Sequence, residues 1–234
     1  MPFILYLSFS LPSAAQERVT TFGLQVKPVF PLSFFKPLTA WQEGALNGEV
    51  ELQSGIAFGG VVRAGLTQML SLEVGINQIQ RNYRWSLTND TTTLGGGNTI
   101  KWVGYEIPVQ GLVYVRLGER FWMNAAAGAS ADLYPTDAVE NDVELRTFWF
   151  RSSWLQAAVV ANLGFEYRTL KSGYFYLGAS YHRPFGEMAI AEHTMRINGG
   201  EYSTRQGIVG SYLTFDVRYF FHEDPERRGR RNRN

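Results

Sequence analysis

Few residues in the chain are equipped for acid–base or nucleophilic work. Histidine occurs at 182, 193 and 222. Ser180 and His182 stand two apart, so on a β-strand they share a face, the placement that a hydroxyl nucleophile and its base require. His193 follows Glu192, and His222 opens the C-terminal segment. For each imidazole, a solvated or hydrogen-bonded network role is the simpler reading. Cysteine is absent, which removes disulfides, thiol nucleophiles and thiolate-held metals. No HExxH pair occurs, and neither Asn89-Asp90 nor the acidic stretch from Asp137 to Asp142 has calcium-loop spacing. Gly95-Gly96-Gly97 lies in no strand-to-helix context and cradles no phosphate. Neither a metal nor a cofactor is expected.

Charge placed with a period of two is more informative. Lys27, Arg63, Arg116, Arg168 and Arg218 fall on the same face of successive alternating runs as Glu73, Glu106, Asp132, Glu166 and Asp216. The other face of those runs is almost free of charge. On the run at about 152–169 it reads Leu155, Ala157, Val159, Ala161, Leu163, Phe165 and Tyr167. Charges on a wetted surface need no balance, whereas enclosed ions need partners because an unpaired buried charge is costly. Five against five predicts a paired interior.

The elements that position these residues are strands. Eight alternating runs cover about 21–35, 51–66, 70–88, 99–117, 121–132, 152–169, 174–185 and 207–221. Run three is expected to change parity near Asn77-Gln78, as a β-bulge would make it do. Long connections (about 36–50, 89–98, 133–151 and 186–206) alternate with short ones at 67–69, 118–120 and 170–173. An even-stranded meander with short turns at one end and long loops at the other is the layout of an outer-membrane barrel. Glycine (24 residues) and aromatics (15%) are abundant while charged residues reach only 18%, a mix that fits such a protein better than a helical enzyme. Net charge of +1 gives no field for nucleic acid.

Aromatic side chains gather at both ends of the runs. Tyr83, Trp85, Trp102, Tyr105, Trp149, Trp154 and Tyr181 lie near the long loops, and Phe22, Phe121, Trp122, Tyr167, Phe175, Tyr219 and Phe221 near the short turns. Two such rings are what membrane interfaces select. The first fifteen residues, MPFILYLSFSLPSAA, pair an apolar run with small residues before Gln16 and are expected to be a cleaved secretory leader. The last thirteen, 222–234, hold Arg227, Arg228, Arg230, Arg231 and Arg233 with no apolar residue, and are expected to form a disordered basic tail.

With its leader, alternating loop lengths and final strand GSYLTFDVRYFF, the chain resembles the small eight-stranded outer-membrane barrels of the OmpA and OmpX type. It also resembles the related outer membrane protein β-barrel domain group that includes the PorT-like proteins. The likeness covers roughly residues 21–221. It implies an all-β, eight-stranded antiparallel up-and-down transmembrane β-barrel over 16–221, in the outer membrane of a Gram-negative bacterium, with both termini periplasmic. It implies contact with outer-membrane lipid and lipopolysaccharide. It further implies that the final strand, through Tyr212, Leu213, Phe215, Val217, Tyr219 and Phe221, is the signal read by the barrel-assembly machinery.

An interior filled by its own side chains argues against a general porin. The expected function is therefore a non-enzymatic scaffold or interaction module, alone or as a subunit of a larger envelope complex. Envelope proteins met through the long loops or the basic tail are the expected partners. The third long loop, DAVENDVE followed by Phe148-Trp149-Phe150, is the stretch suited to a partner or a surface glycan. Two alternatives stand beside this reading. Some barrels that this chain resembles modify lipid A, and a soluble lipocalin-like carrier would share the up-and-down order with its apolar face turned inward.

Overall fold

The computed structural model describes residues 20–31, 38–67, 69–92, 95–141, 145–197 and 199–222. The leader expected at 1–15 and the five tail arginines lie outside them. Thirteen strands follow in order: β1 (Thr20–Phe30), β2 (Leu38–Glu43), β3 (Leu46–Gly65), β4 (Leu70–Asn89), β5 (Gly95–Arg116), β6 (Phe121–Leu133), β7 (Ala138–Asn141), β8 (Leu145–Arg151), β9 (Leu155–Arg168), β10 (Tyr174–Pro184), β11 (Glu187–Ile197), β12 (Gly200–Val209) and β13 (Tyr212–Phe220). All pairings are antiparallel. One sheet runs β1-β13-β10-β9-β6-β5-β4-β3, and β3 pairs in turn with β1. Leu24 thus lies opposite both Tyr219 on one side and Gly60 on the other. β2 extends the far half of β3, and β12-β11-β8-β7 form a second sheet.

The long connections are therefore largely strand. The first folds as the β2–β3 hairpin, the third as β7–β8 and the fourth as β11–β12. At the short-turn end the joints are tight: the Thr67 hydroxyl accepts from the amides of Met69 and Leu70, and Gly173 supplies the left-handed residue (φ 85°) that a Cβ would strain.

The sidedness of β4 explains the layout. Leu70, Leu72, Val74 and Ile76 face outward, and Gln78, Gln80, Asn82, Arg84, Ser86 and Thr88 continue on the same side. The inward residues change the opposite way, from Ser71, Glu73 and Asn77 to Ile79, Tyr83, Trp85 and Leu87. The alternation never slips. The parity change expected near Asn77-Gln78 is absent, because what inverts is the polarity of each face and not the register. The irregularity lies in β3, between Leu52 and Ser54.

Above this inversion the extended halves of β3, β4 and β5 pack on the second sheet around an apolar core containing Trp85, Trp102, Trp149, Met188, Met195 and Ile208. Burying that face is the main stabilisation available to this part of the molecule. It also revises the expected aromatic ring at the long-loop end. Tyr83, Trp85, Trp102 and Trp149 are inside the core, leaving Tyr105 and Trp154 exposed. At the other end Phe22, Phe121, Tyr167, Phe175 and Phe221 do face outward, while Trp122 turns inward beside Arg168.

Candidate functional site

Below the inversion, the ring encloses ions. Arg63 gives Nε and Nη2 to Glu73 Oε2 (3.1 and 2.9 Å) and Nη1 to Glu166 Oε2 (2.5 Å). Arg218 bridges Glu73 (2.5 Å) and Asp216 (2.6 Å), Lys27 stands 3.3 Å from Asp216, and Arg168 reaches Glu166 at 2.6 Å. Asp216 also accepts from Ser180, Thr214 and Asn162. Aromatic rings fill what the ions leave. The Arg63 guanidinium lies 3.9 Å from the Phe220 ring centre, and Tyr176 covers Gly164 and Gly178, where any side chain would collide with its hydroxyl. Such a network balances the desolvation of its members only because every carboxylate is multiply bonded.

A second tier lies nearer the inversion. His182 Nε2 is 2.7 Å from Asp132 Oδ2, Ser130 donates to Asp132 Oδ1 at 2.7 Å, and the Tyr212 hydroxyl donates to Glu106. Tyr212 is stacked on His182, with ring centres 4.8 Å apart and an interplanar angle of 11°. Arg81 donates to the Gly210 carbonyl at 2.9 Å and sits between the rings of Tyr134 and Tyr212. Glu106, Asp132 and His182 offer donor atoms within 4.8 Å of one another, a set that could hold a cation by donor type. Each is already hydrogen-bonded, and Arg81 brings a positive charge beside them.

The predicted charge set needs one exchange. Arg116 is exposed at the end of β5, with its Nε on the Gly118 carbonyl at 3.0 Å, and it belongs to no buried network. It has the inward parity but sits at the open end of the ring, where its guanidinium lies over the Trp122 ring, 5.7 Å from the centre. Arg81, 1% exposed, takes the fifth positive place. The supposed parity change in β4 had put it on the wrong face. The signal that identifies it is the unbroken odd series Ser71, Glu73, Asn77, Arg81.

Ser180 and His182 do share the inner face, yet they do not pair: the hydroxyl goes to Asp216 and the imidazole to Asp132. The two therefore do not form a nucleophile–base pair with each other. Tyr212 points inward in the final strand, while Phe215, Val217 and Phe221 are exposed on the outside.

His193, expected in a solvated loop, is fully buried in the upper core. Its ring lies between Trp41 and Trp85, with centres 5.3 and 5.2 Å away, and neither ring nitrogen has a hydrogen-bond partner. Burial lowers its pKa from 6.5 to about 4. Glu140, from the acidic stretch, accepts from Trp85 Nε1 at 3.1 Å and from Asn98. Of Phe148-Trp149-Phe150, the tryptophan enters the core and the two phenylalanines stay half-buried on the opposite face.

No family model matches the chain, and no curated protein matches it as a relative. Among solved structures it is similar to the outer membrane protein AlkL in lipid bilayers (10% identity, 90% of this chain and 94% of that one, TM-score 0.45). It is also similar to the outer membrane protease OmpT from Escherichia coli (7% identity, 86% and 93%, TM-score 0.33) and to the CymD monoaromatic hydrocarbon channel (8% identity, 89% of each, TM-score 0.21). Likenesses this distant carry no inference about activity.

Proposed function

We propose that the chain is a non-enzymatic integral outer-membrane protein. In this reading β1, β3, β4, β5, β6, β9, β10 and β13 form an eight-stranded transmembrane barrel, and the second sheet with the far ends of β3–β5 forms an interaction module outside the cell. The observation that carries it is the double inversion along β4. An outward surface that is apolar beside a charged interior, then polar beside an apolar interior, matches lipid followed by water. On β5 the outward apolar series from Val103 to Val115 covers about 40 Å of strand at ~3.3 Å per residue. At a tilt of about 40° that is about 30 Å along the axis, enough for the apolar band of such barrels.

A soluble carrier is disfavoured by the same observation, since its charged face would be outside. A lipid-A-modifying enzyme is disfavoured by the separate partners of Ser180 and His182. The reading implies lipid and lipopolysaccharide around the belt, assembly machinery acting on the final strand, periplasmic termini and no nucleic-acid partner. Fractionation with heat-modifiable gel migration tests it: a compact, boiling-sensitive species in the outer-membrane fraction is expected, and release as a soluble protein would refute it. An altered lipid-A mass profile on deletion, restored by the wild-type gene but not by His182→Ala, would establish the enzymatic alternative.

A further inference from the structure

The second sheet buries one face in the upper core, and its other face holds a concavity of about 290 Å³ lined by Arg146, Phe148, Phe150, Glu192 and Thr194. We propose that this concavity binds an acidic saccharide, an inference that rests on the second sheet being an extracellular module. Core burial does not account for the two phenylalanines, since Trp149 between them is the residue turned into the core. Their rings meet edge to face, with centres 4.3 Å apart and planes at 65°. That arrangement offers a rigid apolar wall against which the C–H face of a sugar ring can pack. The volume suits one or two sugar units, at the small end of ligand pockets.

The polar groups are held from outside the concavity. Glu192 Oε2 accepts from Arg205 Nε at 2.7 Å, and Thr194 shares a hydrogen bond with Ser203 at 2.9 Å. Both side chains are thus oriented before a ligand arrives, which lowers the ordering cost of binding sugar hydroxyls. Glu192 and Arg205 cancel in charge. Arg146 is exposed and forms no ion pair among the described residues, which leaves its guanidinium open there to a carboxylate or phosphate on the sugar. Aromatic wall, fixed hydroxyl partners and a guanidinium that is unpaired among the described residues together point to an anionic sugar rather than a neutral one.

Calorimetric titration of the full chain folded in detergent micelles tests this with three probes: tetragalacturonate, maltotetraose and a tetraglutamate peptide. Saturable binding of tetragalacturonate is expected, with maltotetraose and tetraglutamate weaker by about tenfold or more. Arg146→Gln and Phe148→Ala should each weaken tetragalacturonate about tenfold, while Phe148→Tyr keeps it. Arg146→Gln changes only an exposed side chain, so its effect is not confounded by folding. Absence of saturable binding, equal binding of tetraglutamate, or indifference to Arg146→Gln would overturn the proposal. Heat-modifiable migration of the same preparation separates the two failures: a well-formed barrel that binds no sugar removes this site and leaves the barrel standing.

Discussion

Arg218 and Glu73 are 145 residues apart in sequence and on strands that do not pair, yet their side chains meet at 2.5 Å inside the ring. Their contact fastens β13 to β4 across the enclosed space, where backbone hydrogen bonds cannot reach. Glu73 also holds Arg63, so one carboxylate serves two guanidinium groups. Glu73→Gln leaves both cations short of a partner and should destabilise the folded protein by about 3–5 kcal/mol. Denaturant unfolding in micelles measures it. Adding Arg218→Met should then cost less than the two single changes summed, because each removes the same interaction.

Arg81 and Arg116 make a controlled pair. Removing Arg81 takes away the positive charge beside Glu106 and Asp132, and Arg81→Met is expected to cost about 3 kcal/mol or more. Arg116→Ala, at an exposed strand end, should fall within about 0.5 kcal/mol of the parent. Unfolding midpoints in the same detergent compare them directly.

These two arginines also mark how far the sequence could be read. The strand character of the eight runs, the tight joints between them and nine of the ten interior charges followed from a period of two; the five further strands that fill the expected long connections did not. Arg81 did not, because an apolar-to-polar switch on one face looks the same whether a strand slips by one residue or crosses from lipid into water. Similarly, His193 read as a loop residue because it falls outside the eight alternating runs, and only the pairing of β11 with β8 and β12 reveals which of its sides is covered. Ser180 and His182 were correctly placed on one face, but spacing alone could not tell that each is taken by a different carboxylate.

Acid should weaken the upper core through His193. Its folded pKa of about 4 lies below the ordinary 6.5, so as pH falls through 6.5 the unfolded chain takes up a proton that the folded one refuses. Stability is full above about pH 6.5 and is lost progressively down to about pH 4, by up to about 3 kcal/mol. His193→Phe should flatten that dependence and relieve the two unpartnered nitrogens. Tryptophan fluorescence of Trp41 and Trp85 during denaturant titrations at pH 7.5 and pH 4.5 reads both effects.

The outer face gives predictions of contrasting size on two neighbouring stretches. Val109→Arg, in the middle of the apolar series of β5, should cost about 2–4 kcal/mol. Gln80→Arg, on the outward side of β4 beyond the inversion, should be tolerated within about 0.5 kcal/mol. Equal costs at the two positions would mean that they face the same medium.

Because the chain has no cysteine, single cysteines can be introduced on the outward face of β4 and spin-labelled without background. Collision rates with oxygen and with a water-soluble nickel chelate, measured for Val74→Cys, Ile76→Cys, Asn82→Cys and Arg84→Cys in bilayers, test the double inversion most directly. High oxygen and low nickel accessibility at 74 and 76, exchanging abruptly for high nickel accessibility at 82 and 84, is the predicted result. Uniform nickel accessibility along all four positions would contradict a barrel that passes from lipid into water along this strand.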